Sequence, residues 1–153
     1  MVKKSQIIEL IKNAKRSFFV GALDNNKISS IETMLNAELS DSYKWFLGEY
    51  GTGGVIGVEI LGGGLRGIPT CVRETVDWRE YGLSEEFVVI ENFGEGVYCL
   101  DTSRIENGEC PVVDWDQGEG IGDQEYDDFL SFLFRDFQNK HGNLYLSEEL
   151  EVC

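Results

Sequence analysis

A chain of 153 residues is of the size of one domain, and its 42% hydrophobic content, with 9 Phe, 6 Tyr and 3 Trp, excludes a disordered polymer. Against 13 basic side chains stand 28 acidic ones, a formal net charge of −15 that argues against nucleic acid and anionic membranes as direct partners. The opening Met1-Val2-Lys3-Lys4 leads into a stretch broken by Glu9, Lys12 and Lys15. It holds no secretory apolar segment, and no run reaches the ~18 apolar residues of a membrane span. The four cysteines, Cys71, Cys99, Cys110 and Cys153, fit no zinc spacing. They are expected as reduced thiols in the cytoplasm, with no metal and no cofactor.

In chain order, Ile7, Ile8, Leu10, Ile11 and Ala14 recur at helical spacing and predict a helix over about 4–16. A turn is expected over Gly21 to Asn26, and a second short helix carries Ile28, Ile31, Met34 and Leu35. Ser40 is a candidate N-cap for a third helix, whose stripe is Tyr43, Phe46, Leu47 and Tyr50, with Gly51 placed to stop it. The run 55–61 reads as a strand, 62–67 as a glycine loop, and 69–81 as a helix packing through Val72, Val76 and Trp78. Three strand-like runs follow, Phe87–Ile90, Val97–Leu100 and Cys110–Val113, with a tight turn at Gly94 to Gly96. Gly118, Gly120 and Gly122 mark an acidic loop, and Phe129, Phe132, Leu133 and Phe137 a last helix. This order predicts a single α+β domain: a mainly antiparallel sheet with helices packed on one face.

Two motifs carry chemistry only on paper. Residues 62–67 fit a G-x-G-x-x-G phosphate loop, but three helices precede the strand, and Ile68-Pro69 follows the third glycine where a helix would have to start. Residues 114–125 place carboxylates as in a calcium loop, but Glu119 stands where a glycine must turn the chain. His141 is the only histidine, so nucleophilic catalysis has one candidate base and no partner pattern.

The charge is uneven. Residues 84–128 hold 14 acidic side chains and one cation, Arg104. Solubility alone would spread the charge more widely, so a cationic partner is expected there. Its electrostatic contacts are assigned to Glu91, Glu95, Asp101, Asp114, Asp116, Glu119 and Asp123, with Trp115 and Tyr98 as aromatic anchors. Tyr126 shares that segment.

The stretch Ile28-x-x-Ile31-Glu32, Leu35, Leu39, Tyr43-x-x-Phe46-Leu47-x-x-Tyr50-Gly51 and Gly53-Gly54 resembles the SUKH superfamily, named after the yeast cell-wall-synthesis regulator and its bacterial relatives. Phe87-Val88-Val89-Ile90, Tyr98-Cys99-Leu100-Asp101, Pro111-Val112-Val113-Asp114 and Phe129-Leu130-x-Phe132-Leu133 continue the likeness over about 5–138, leaving 142–153 as a tail. Ser40 departs from it, standing where the family usually has proline. The resemblance implies a SUKH-like fold over 1–153 without catalytic residues. It also implies an immunity protein that binds and neutralises a cognate polymorphic toxin, a basic nuclease domain being the expected partner. A second copy of the chain is a further candidate partner. Two alternatives stay open: a regulatory or scaffold adaptor, and a small-molecule or cation sensor using residues 62–67 or 114–125.

Overall fold

Apolar residues three and four apart wind much of the first 50 residues into helices. In the computed structural model, which describes residues 1–64 and 66–139, these are α1 (Lys4–Asn13), α2 (Asn25–Leu35) and α3 (Asp41–Glu49). A short strand, β1 (Ser17–Phe19), lies between α1 and α2, and pairs antiparallel with β2 (Gly53–Val55). The strand expected over 55–61 is therefore shorter and earlier. Gly57, at φ +83°, turns the chain, and Ile60 returns as a single bridge to Gly53.

Then come α4 (Thr70–Arg79), β3 (Phe87–Asn92), β4 (Val97–Asp101), β5 (Val112–Asp116) and β6 (Gly120–Tyr126). Residues 129–139 are helical, and are called α5. Strands β3-β4-β5-β6 form one antiparallel sheet in sequence order. The α+β class with an antiparallel sheet is thus observed, but the helices expected on one face lie on both, because β3, β4 and β5 are apolar on both sides. Strand β6 replaces the loop expected around Gly118 to Gly122. It sits at the sheet edge with Ile121, Asp123 and Glu125 exposed, and the acidic side chains on that edge discourage further pairing.

Alternation along β4 divides the helices between two faces. Tyr98 touches the Phe132 ring of α5 at 4.9 Å. On the other face, the partner of Val97 across the ladder is Trp115, which meets Trp78 of α4 at 5.7 Å. Helix α4 turns Cys71, Val72 and Thr75 inward, whereas Val76, expected to pack, is exposed. The Thr75 hydroxyl accepts the Val89 amide at 2.8 Å and so ties α4 to β3. Tyr43, Phe46 and Phe129 form an edge-on aromatic cluster, and the Tyr43 hydroxyl donates to the Leu61 carbonyl at 2.6 Å.

Helix α3 is capped from a distance. Ser40 makes no side-chain bond to its amides; instead Gly108 O accepts the Asp41 amide and the Glu109 carboxylate accepts the Ser42 amide. Gly51 ends the helix at φ +78°, as its position in the sequence implied. His141, the tail 142–153 and Leu65 lie outside the described residues.

Candidate functional site

The β3–β4 hairpin has a tip shaped by Gly94, at φ +92°, and closed by the Phe93 amide on Gly96 O at 3.0 Å. It leaves Phe93 and Glu95 exposed. Beside it lies the β5–β6 turn. There Asp116 Oδ1 accepts the Gly118 and Glu119 amides at 2.9 and 2.8 Å, which fixes the Asp116 carboxylate and the start of Glu119. The two turns come together because Val97 pairs with Trp115 and Asp116 with Gly120.

A recess opens on each side of the β3–β4 tip. The first is a slot of about 240 Å³ between the two turns, with Glu95 and Asp116 among its lining and Trp78 and Trp115 against it. The Trp78 indole N–H is engaged by Glu74 at 3.0 Å, and Trp115 is only 7% exposed, so both rings are held. The second is a cleft of about 520 Å³ between the tip and α5, lined by Glu59, Glu91, Asp136, Phe93 and Tyr98. Here the Phe93 and Tyr98 rings pack tilted at 42°, 4.7 Å apart, and the Tyr98 hydroxyl donates to Gln124 at 2.6 Å. Burial pushes the Tyr98 phenol up, and the charges around Tyr126, Asp136, Glu91 and Asp114 push it further. It stays a neutral donor.

Of the residues assigned from sequence, Glu95, Trp115 and Asp116 meet at the slot, with Glu119 on the adjoining turn. Glu91 and Tyr98 meet at the cleft. Glu91 is itself 5% exposed, and so acts on the cleft from within the wall. The remaining three lie apart. Asp101 is buried at the far end of β4, about 13 Å from the tip by strand rise. Its carboxylate accepts the Ser103 amide and Arg104 Nε, an internal clasp. Asp114 is half-buried and accepts the Gln124 amide at 2.9 Å. Asp123 is exposed on the β6 edge. Sequence reasoning missed Trp78, Phe93, Glu59 and Asp136. Trp78 was legible only as a packing position, and nothing in sequence links Glu59 and Asp136 to Glu91.

The paper motifs resolve into structure. Gly62 and Gly63 carbonyls accept the Cys71 and Thr70 amides, so the first turn of α4 has no amides turned outward for a phosphate there. These glycines serve close approach: a Cβ on Gly62 would overlap Gly51 O, and one on Gly63 the Leu23 side chain. Residues 114–125 are the β5–β6 hairpin and its turn, and two of the carboxylates are held by backbone amides.

A larger recess of about 910 Å³ follows β1 and β2. Lys15 and Arg16 against Glu59 make it weakly basic, and Phe18, at 73% exposure, and Ile56 stand at it. Among the described residues no helix is long and apolar enough to cross a membrane.

A family model described as SMI1-KNR4 cell-wall (SUKH_5) matches residues 5–138. Among solved structures, a protein from Pseudomonas syringae pv. tomato shares the fold at a TM-score of 0.66 and 16% identity, over 84% of this chain and 93% of that one.

Proposed function

We propose that this chain, which belongs to the SMI1-KNR4 cell-wall family, is a non-catalytic immunity protein of the cytoplasm that binds and neutralises a basic toxin domain. The observation that carries this reading is the β3–β4 tip, where two carboxylate-lined recesses and exposed Phe93 flank one protruding turn. A nuclease must present cations to its polyanionic substrate. A protein of net charge −15 is steered to that face, and once seated it keeps the substrate out. Aromatic residues at the centre of such a contact supply the affinity that charge alone does not. Thiolate chemistry is disfavoured at Cys71, Cys99 and Cys110, which are buried and held protonated.

The test is co-expression with a basic nuclease-toxin domain from the same genome, followed by a nuclease assay with and without this chain. A stable complex that has lost cleavage supports the reading; an undiminished nuclease rate at saturating inhibitor sinks it. The adaptor reading has one observation of its own, exposed Phe18 and Ile56 at the basic recess. Loss of a complex on Phe18→Ser, with none lost on changes at the β3–β4 tip, would favour it.

A further inference from the structure

The slot between the two turns has a more specific chemistry than general acidity. We infer that it is a receptor for one arginine side chain of the partner, stacked on Trp78, which the buried Trp115 backs, and clasped by Glu95 and Asp116. This rests on the immunity reading for the partner's identity, though not for the chemistry of the slot.

Size comes first. About 240 Å³ lies below the roughly 300–1,000 Å³ of sites that take drug-sized ligands or cofactors, and suits a single side chain. Wall chemistry comes second. Half-buried Trp78 presents an indole, the ring that attracts a cation most strongly, and buried Trp115 holds it edge to face at 5.7 Å. An apolar side chain placed there would shield two carboxylates without pairing either, which is costly. A guanidinium is flat, stacks on indole, and carries donors on two edges, whereas an ammonium is a compact, strongly hydrated point charge.

Preorganisation comes third. The Asp116 carboxylate is anchored by two backbone amides, and Glu95 follows a glycine that sets the hairpin tip. Trp78 is oriented by Glu74 and flanked by exposed Tyr81 at 5.9 Å. Asp116 and Trp78 are thus held before binding, and the exposed Glu95 is the side chain that orders on it. In the partner, such an arginine would be one that otherwise holds a phosphate, because the same bidentate geometry suits both.

The experiment titrates the full chain with N-acetyl-arginine amide at low salt and follows the three indole N–H signals by ¹⁵N NMR. N-acetyl-citrulline amide, the neutral analogue, is the control. Saturable shifts of the Trp78 and Trp115 signals with the arginine probe alone, with Trp45 unmoved, are expected. The double variant Glu95→Gln, Asp116→Asn keeps the turn-capping oxygen of Asp116 and should weaken the arginine probe about tenfold. Equal shifts from both probes, no saturable shift, or an unchanged affinity in the double variant would overturn the inference. The two proposals fail separately. A toxin bound equally by wild type and double variant removes the arginine receptor and leaves the immunity reading. Specific arginine binding with no toxin neutralised does the reverse.

Discussion

The Glu109 carboxylate accepts the amide of Ser42 at 3.0 Å across 67 residues of sequence, and the Ser42 hydroxyl donates to it as well. Together with Gly108 O, which accepts the Asp41 amide at 2.7 Å, it satisfies the first amides of α3 from the loop before β5. Glu109→Ala is expected to lower stability by about 0.5–2 kcal/mol, the range for a lost helix cap. Ser40→Ala should cost less, because the Ser40 hydroxyl makes no bond to the helix. Urea unfolding of the two variants checks the order.

Gly51 and Gly94 both hold positive φ, +78° and +92°, but only Gly51 is also crowded. A Cβ there would overlap the Gly21 carbonyl oxygen, whereas one on Gly94 meets open space. Gly94→Ala is expected to cost about 1–2 kcal/mol from backbone conformation alone. Gly51→Ala should exceed that clearly and lower the thermal midpoint further. Equal losses would mean that the approach of residue 21 to α3 relaxes freely.

Burial raises Cys71 to about 11 and Cys110 to about 12, the latter helped by Glu109 and Asp101, and raises Cys99 too. The ordinary thiol value is 9.0, so the unfolded chain loses these protons first as pH climbs. Stability is therefore full below about pH 9 and declines between about 9 and 12. A urea midpoint that falls steadily above pH 9, with a shallower fall in Cys99→Ala, is the expected result. A midpoint independent of pH up to 11 would contradict the burial of these thiols.

Charge at the two ends of the sheet should act differently. Glu95→Lys with Glu119→Lys is expected to slow association with a basic partner about tenfold at low salt and to flatten its salt dependence, leaving folding unchanged. Asp101→Asn should leave association unchanged and lower stability, because Asp101 holds Arg104 at 2.8 Å and the Ser103 amide at 3.1 Å. Stopped-flow association across a salt series separates the two.

The long helices were legible because their apolar residues repeat every 3.6 positions, and β3, β4 and β5 because they are short, nearly continuous apolar runs. Strand β6 was not: residues 120–126 carry two glycines and exposed charges, since an edge strand needs partners on one side only. Strand β1 is three residues long, too short for a period to register. In α4 the inward position belongs to Thr75, a polar side chain whose value lies in accepting the Val89 amide, while Val76 faces out. The slot was half legible. Composition pointed to Glu95, Trp115 and Asp116, but Trp78 joins them only through the ladder that faces Trp115 toward α4. Sequence proximity also misled in part, since the acidic run 84–128 spreads over both ends of the sheet, and Asp101 turns inward.

The measurement that bears most directly on the proposed neutralisation is isothermal titration of this chain into a purified basic nuclease-toxin domain from the same genome, with residual nuclease activity read from the same cell. Stoichiometric binding that abolishes cleavage, and that weakens as salt rises, is the predicted result. Absence of heat together with full nuclease activity at excess chain would contradict it.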